Sequence, residues 1–166
     1  MRAFSRRGQT LQTRLAGNEI TVLGTLVGEL VELLGPLGPR AGDEIFAEPP
    51  PFWKSDPALA RLFPDAYRGD DDASNEFERY TMADQTVAKI DAAKLVLADI
   101  EDADDGWVTV PPDHIESWLI TLTNLRLVLA ERLGVVNIFD SDDMDTPMAA
   151  VYTWCGWFLE SMLDQI

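Results

Sequence analysis

SNEFERYTMADQTVAKIDAAKLVLADIE, residues 74–101, carries Phe77, Tyr80, Ala83, Val87, Ile90, Ala93, Leu97 and Ile100 at intervals of three or four. That period places the apolar side chains on one continuous face of a helix, and the spacing predicts a helix over 74–101. A helix this long with a single apolar stripe is stable only when the stripe is covered, so other helices must pack on it. The fold question becomes which other segments carry matching stripes.

Toward the C-terminus, Asp113 and Glu116 have the spacing of a capping box, and Gly134 suits the residue just past a helix end. A helix over about 113–133 is predicted, with Ile115, Trp118, Leu122, Leu125 and Leu129 as its stripe. Thr146 and Pro147 open a last helix, over about 146–165, with Val151, Cys155, Phe158, Met162 and Ile166 on one side and Trp154 and Trp157 beside them. Toward the N-terminus, Asn18 is placed to cap a helix over about 19–34, closed by Gly35 and Pro36. Ile20, Leu23, Val27, Leu30 and Leu34 form its seam. Gly24 and Gly28 stand four apart in it, which predicts a close backbone approach, either within the monomer or in a homodimer. Asp56 and Pro57 open a short helix over about 57–63.

Residues 2–15 read as a hairpin, with Ala3 to Arg6 and Thr10 to Leu15 joined by a Gly8-Gln9 turn. Trp107 to Val110, stopped by two prolines, is a candidate third strand. Pro36 to Pro51 is rich in Gly and Pro and reads as a loop. The fold class expected is mainly α: a helical bundle of four main helices with a small N-terminal antiparallel β-hairpin or sheet, in one domain over 1–166.

The chain holds 29 acidic and 13 basic residues, for a formal net charge of -16, while its 46% apolar and 25% charged shares are those of an ordinary globular protein. Such a field repels phosphate backbones, so direct DNA binding is disfavoured and a protein partner is expected. Basic residues cluster only at the start, where Arg2, Arg6, Arg7 and Arg14 precede any acid, and none follows Arg132. These arginines either protect a strand edge or, with Trp53, form a partner surface. Met1 to Arg7 is followed by polar residues rather than the apolar core of an export signal. The apolar run Ile20 to Leu34 is short of a membrane span and contains Glu29 and Glu32, so it reads as a core helix. No membrane and no internal disulfide are expected, and the cytoplasm is the expected location.

Reactive side chains are scarce: one histidine, His114, and one cysteine, Cys155. No catalytic residue, metal site or cofactor is expected from them. The acidic runs Asp70 to Asp72 and Asp140 to Asp145 fail the EF-hand template, since counting from Asp140 puts Asp145 where Gly belongs and Val151 where Glu belongs. Helix-capping loops account for both. Arg126, inside Leu125-Arg126-Leu127-Val128-Leu129, is expected to pair with a carboxylate as a buried ion pair. Cys155 lies on an apolar stripe and is either a buried, inert thiol or a redox site.

Three stretches carry a resemblance: Asp56-Pro57-Ala58-Leu59-Ala60-Arg61-Leu62-Phe63-Pro64-Asp65-Ala66-Tyr67-Arg68, Trp118-Leu119 through Asn124-Leu125-Arg126-Leu127 to Arg132-Leu133-Gly134-Val135, and Val151-Tyr152-Thr153-Trp154-Cys155-Gly156-Trp157-Phe158-Leu159-Glu160-Ser161. With the Arg-rich start and the apolar first helix, they resemble an actinobacterial family first catalogued as a domain of unknown function and later called AosR-like, oxidative-stress-responsive transcriptional regulators. The resemblance implies a non-enzymatic cytoplasmic regulator acting through protein contact, with a sigma factor or RNA polymerase component as partner, rather than autonomous DNA reading. A thiol switch closing an internal disulfide would need a second cysteine, which this chain lacks. The alternatives are an acidic adaptor or scaffold linked to regulated proteolysis and, more weakly, a carboxylate- or metal-dependent enzyme.

Overall fold

The computed structural model describes residues 2–39, 50, 52–135 and 146–166. Two short strands, β1 (Ser5–Arg7) and β2 (Thr10–Arg14), form the N-terminal hairpin, and a third, β3 (Trp107–Val110), adds antiparallel to β2 to give the order β1-β2-β3. Between them run α1 (Gly17–Leu34), α2 (Pro57–Leu62) and α3 (Asp71–Glu101), and α4 (Ile115–Leu133) and α5 (Pro147–Leu163) follow. The expected architecture of four long helices and a small sheet is the observed one.

In the sheet, Leu11 on β2 pairs with Val110 on β3 and Thr13 with Val108, and all four are buried. Alternation then leaves Trp107 and Thr109 outward, so the sheet lays one apolar face on the bundle. Phe4 completes the joint: its ring lies 4.6 Å from Phe158 of α5 and 5.9 Å from Trp118 of α4. The turn into β3 depends on Gly106, whose φ is +78 and whose added Cβ would stand 2.5 Å from the Leu15 carbonyl oxygen. Its own carbonyl accepts the Leu15 N–H at 2.9 Å, tying the hairpin exit to the start of β3.

Helix ends follow local chemistry. Asp56, Asp70 and Thr146 accept the N–H groups of Ala58, Ala73 and Ala149. The Asp70 run is thus the cap of α3; the Asp140 run lies outside the described residues, as do residues 40–49 and 51 of the Pro-rich stretch. Two expected caps differ. α1 begins at Gly17, so Ala16 rather than Asn18 stands at its cap, with the Glu19 carboxylate accepting the Ala16 N–H at 2.7 Å. Asp113 makes no capping bond to α4, because a 3-10 turn over Pro112–His114 leads into the helix instead.

Leu23, Val27, Leu30 and Leu34 of the α1 seam, Trp118, Leu122, Leu125 and Leu129 of the α4 seam, and Cys155, Phe158 and Met162 of α5 are buried, whereas Ile20, Ile115 and Val151 are half-buried and Ile166 at the chain end is exposed. By length and composition Gly17–Leu37 could cross a membrane, with a mean hydropathy of 1.6, so the apolar segment is longer than the Ile20 to Leu34 run. Leu23, Val27, Leu30 and Leu34 nevertheless pack it into the core.

The inner face of α3 corrects the sequence expectation. In its C-terminal half Ala93 and Ile100 are buried as read from the period, but in its N-terminal half the buried residues are Ser74, Glu78, Met82 and Thr86. Phe77, Tyr80, Ala83 and Val87 face outward. Local bonds set this rotation: the Ser74 hydroxyl donates to the Tyr67 carbonyl at 2.9 Å and accepts the Tyr67 N–H at 3.1 Å. Lys54 meets the Glu78 carboxylate at 3.1 Å on the inner side, while Phe77 packs edge-on against Tyr67, 6.3 Å between centroids.

Candidate functional site

α4 packs against both α1 and α5, and a groove of about 930 Å³ runs between those two helices with α4 as its floor. Leu26, Leu30 and Leu33 form one wall, Leu125, Val128 and Leu129 the floor, and Pro147, Met148 and Val151 the other wall. Toward the start of α1 a smaller pocket of about 200 Å³, lined by Asn18, Glu19, Val22, Ala150 and Trp154, shares Val151 with it, and the two together follow one edge of α1. Their joint length follows from helix rise: Asn18 to Leu33 spans roughly 22 Å. Glu29 and Glu32 stand on the rim and are exposed. Arg132, also on the rim, is bound to Asp56 at 3.0 Å. Reading the seams found every helix of this groove but not the groove itself, which exists only where the ridges of three helices fail to meet.

Beneath α5 the structure joins two residues singled out separately in the sequence. Arg126 lies with its guanidinium 5.2 Å from the Tyr152 ring, and its Nη2 reaches the Tyr152 hydroxyl at 3.5 Å. Among the described residues it has no carboxylate partner, so the expected ion pair is replaced by contact with an aromatic face. Gly156 leaves room for it, since a Cβ there would lie 3.2 Å from the Arg126 guanidinium carbon. Cys155 is completely buried, and burial pushes its thiol up to about 12, against the opposing pull of the Arg126 charge. A thiol in that state is not a nucleophile near neutral pH.

The N-terminal arginines do not converge on one patch. Arg2 and Arg14 both lie over the exposed Trp107 ring, at 5.7 and 5.9 Å, and Arg14 also binds Asp105 at 2.8 Å. Arg7 donates to the Gln12 side chain at 3.3 Å, and Arg6 stands exposed on the edge strand β1. Trp53, expected at a partner surface, is 4% exposed. It packs edge-on against Phe63 in a short 3-10 turn, and its neighbour Phe52 takes the outward position. The signal was misleading because Pro-flanked aromatics mark hydrophobic anchors as readily as contact residues.

Sequence reasoning left His114 without a partner; the fold supplies one. Asp99, near the end of α3, sits 2.9 Å from His114 Nδ1 and accepts the Trp118 indole N–H at 2.8 Å. His114 and Asp99 border a cavity of about 710 Å³ that also takes in Asp102, Asp104 and Asp105. The carboxylates in it are partly engaged: both Asp99 oxygens meet His114, and Asp105 is held by Arg14. Among the described residues no group of three His, Cys, Asp or Glu is arranged to hold a metal ion.

A polar seam lies between α3 and α4. Lys89 donates to the Asn124 side-chain oxygen at 3.2 Å over the Phe63 ring, and burial pulls its ammonium below the usual lysine range. Thr86 Oγ1, Thr121 Oγ1 and Asn124 Nδ2 are buried without a hydrogen-bond partner among the described residues, as is Glu78 Oε1 of α3.

No curated protein and no solved structure matches the chain. A family match does, running from residue 1 to residue 166 without a break. By that match over its whole length, the chain belongs to the family described as a domain of unknown function, DUF2017.

Proposed function

We propose that this protein is a non-enzymatic cytoplasmic regulator of the AosR-like type, acting through protein contact on the transcription machinery rather than by reading DNA. The observation that carries the reading is the α1–α5 groove, an apolar depression about four helical turns long on the surface of an otherwise acidic protein. Contiguous apolar surface of this kind is what helix-in-groove and other protein contacts use. The net charge of -16 supports a partner-mediated route, because it opposes phosphate contact. The resemblance of residues 56–68, 118–135 and 151–161 to that family supplies the transcriptional role and makes a sigma factor or RNA polymerase component the proposed partner.

Redox sensing through Cys155 is not part of the proposal, since a fully buried thiol pushed up to about 12 meets oxidant only after the helix opens. The test is deletion of the coding sequence with transcript and protein-lifetime measurements side by side. Direct changes in transcript levels, with a polymerase or sigma component recovered on the purified protein, support the reading. Changes confined to protein lifetimes would instead favour an acidic adaptor in regulated proteolysis. The enzyme alternative draws on the acid-lined cavity at His114 and Asp99, and titration calorimetry with Mg²⁺, Mn²⁺ and Zn²⁺ decides whether that cavity takes an ion.

A further inference from the structure

Both helices that wall the groove lack any positive charge: α1 has Glu19, Glu29 and Glu32 and no Lys or Arg, and α5 has Glu160 and no Lys or Arg. Arg132, the one cation on the rim among the described residues, is already committed to Asp56 at 3.0 Å. Glu29 and Glu32 are exposed and have no ion-pair partner among the described residues. The groove therefore presents an apolar floor under a rim of one sign. A ligand that satisfies it needs an apolar stripe and positive charges along the edges of that stripe, at the length of the depression.

We infer that the groove is the docking site for a basic amphipathic helix of a partner protein, with its apolar face on Leu26, Leu33, Val128 and Val151 and its Lys or Arg residues against Glu29 and Glu32. Helix-in-groove recognition uses apolar anchors at i, i+3, i+4 and i+7, and about 15 residues of helix cover the depression. A membrane surface is the poorer fit, because anionic headgroups meet a protein of charge -16. The assignment rests on the protein-contact reading above and specifies the chemistry of the partner.

The probe is a peptide of about 16 residues made of Leu and Lys in amphipathic spacing, with a Leu and Glu peptide of the same pattern as control. Binding to the full chain is read by fluorescence anisotropy. Contact is placed by a photo-crosslinker on Met148→Cys, an exposed position at the groove, the native Cys155 being buried. The expected result is binding of the basic peptide alone, crosslinking from position 148, and a loss of about tenfold or more in affinity for Glu29→Lys/Glu32→Lys. Circular dichroism melting checks that the variant is folded, and loss of binding to the unmodified chain at high salt tests the same charges without a variant.

Equal binding of the two peptides, or an unchanged affinity in the double variant, overturns the assignment. So does a dimer in sedimentation that Met148→Glu breaks, which would make a second copy the occupant. The two readings separate cleanly: a transcription component that co-purifies equally with wild type and the double variant defeats the groove assignment and leaves the regulatory reading standing. A groove that takes the basic peptide in a protein whose deletion leaves transcripts unchanged does the reverse.

Discussion

Two side chains in this protein are defined by what the fold denies them. Cys155 is denied water, and its thiol is pushed up to about 12 from an ordinary value of 9.0. The unfolded chain then ionises first as pH rises, so the native state holds more protons above pH 9 and stability falls from there toward pH 12. Relative to Cys155→Ala, which removes the ionisation, wild type should lose about 1.4 kcal/mol per pH unit across that window in urea unfolding. Parallel pH profiles of the two proteins would contradict the burial argument. Asp99, conversely, is denied freedom: buried to 8% exposure, it meets His114 at 2.9 Å and Trp118 at 2.8 Å. Asp99→Ala leaves the indole N–H of a fully buried Trp118 without an acceptor, so a loss of about 2–4 kcal/mol is expected in chemical denaturation. A loss under 1 kcal/mol, roughly that of a surface substitution, would show that the cluster is not structural.

At the scale of the element, α3 and α1 each set local propensity against tertiary placement. Thr86 of α3 is completely buried with no partner for its hydroxyl among the described residues, whereas Phe77 and Val87 of the same helix face outward. Replacing an unsatisfied buried hydroxyl by a methyl of similar shape removes a desolvation cost without opening a cavity, so Thr86→Val should stabilise by about 1 kcal/mol. The midpoint of urea unfolding reads this directly, and a decrease would mean the hydroxyl is satisfied in solution. On α1, Gly24 and Gly28 were expected to mark close backbone contact within the monomer or in a homodimer; within the monomer, a Cβ at either would meet nothing within 4 Å among the described residues. With open space beside them, the glycines only weaken the helix. Gly24→Ala and Gly28→Ala should each add about 1 kcal/mol to thermal stability, a gain that an intimate packing contact would turn into a loss.

On the scale of the whole molecule, what could be read from the sequence was whatever repeats along one helix. The seams Leu23-Val27-Leu30-Leu34 and Trp118-Leu122-Leu125-Leu129 were legible because burial of one face leaves a period of 3.6, and the hairpin because its turn and alternation are local. The rotation of α3 was not, because Glu78 lies only about 100° from Phe77 on the helix and the bonds that choose between them come from Tyr67 and Lys54, outside the periodic stretch. The groove and the Asp99–His114–Trp118 cluster were invisible for a stronger reason, since each needs the relative placement of separate helices. Charge is the property that survives this loss of detail, because it sums over the surface whatever the packing. With 29 acids against 13 basic residues, the native state works against its own repulsion, and unfolding spreads that charge apart. Salt at about 0.15 M shortens the range of this repulsion to roughly 8 Å and should raise the melting temperature by a few degrees over 0.01 M, where the range is roughly 30 Å. NaCl and KCl should act alike in calorimetry if screening is the cause. A melting temperature that falls with salt would mean that ion pairs such as Arg61–Glu131 and Arg132–Asp56 outweigh the net charge, and the acidic surface would then be structural rather than kept for a basic partner.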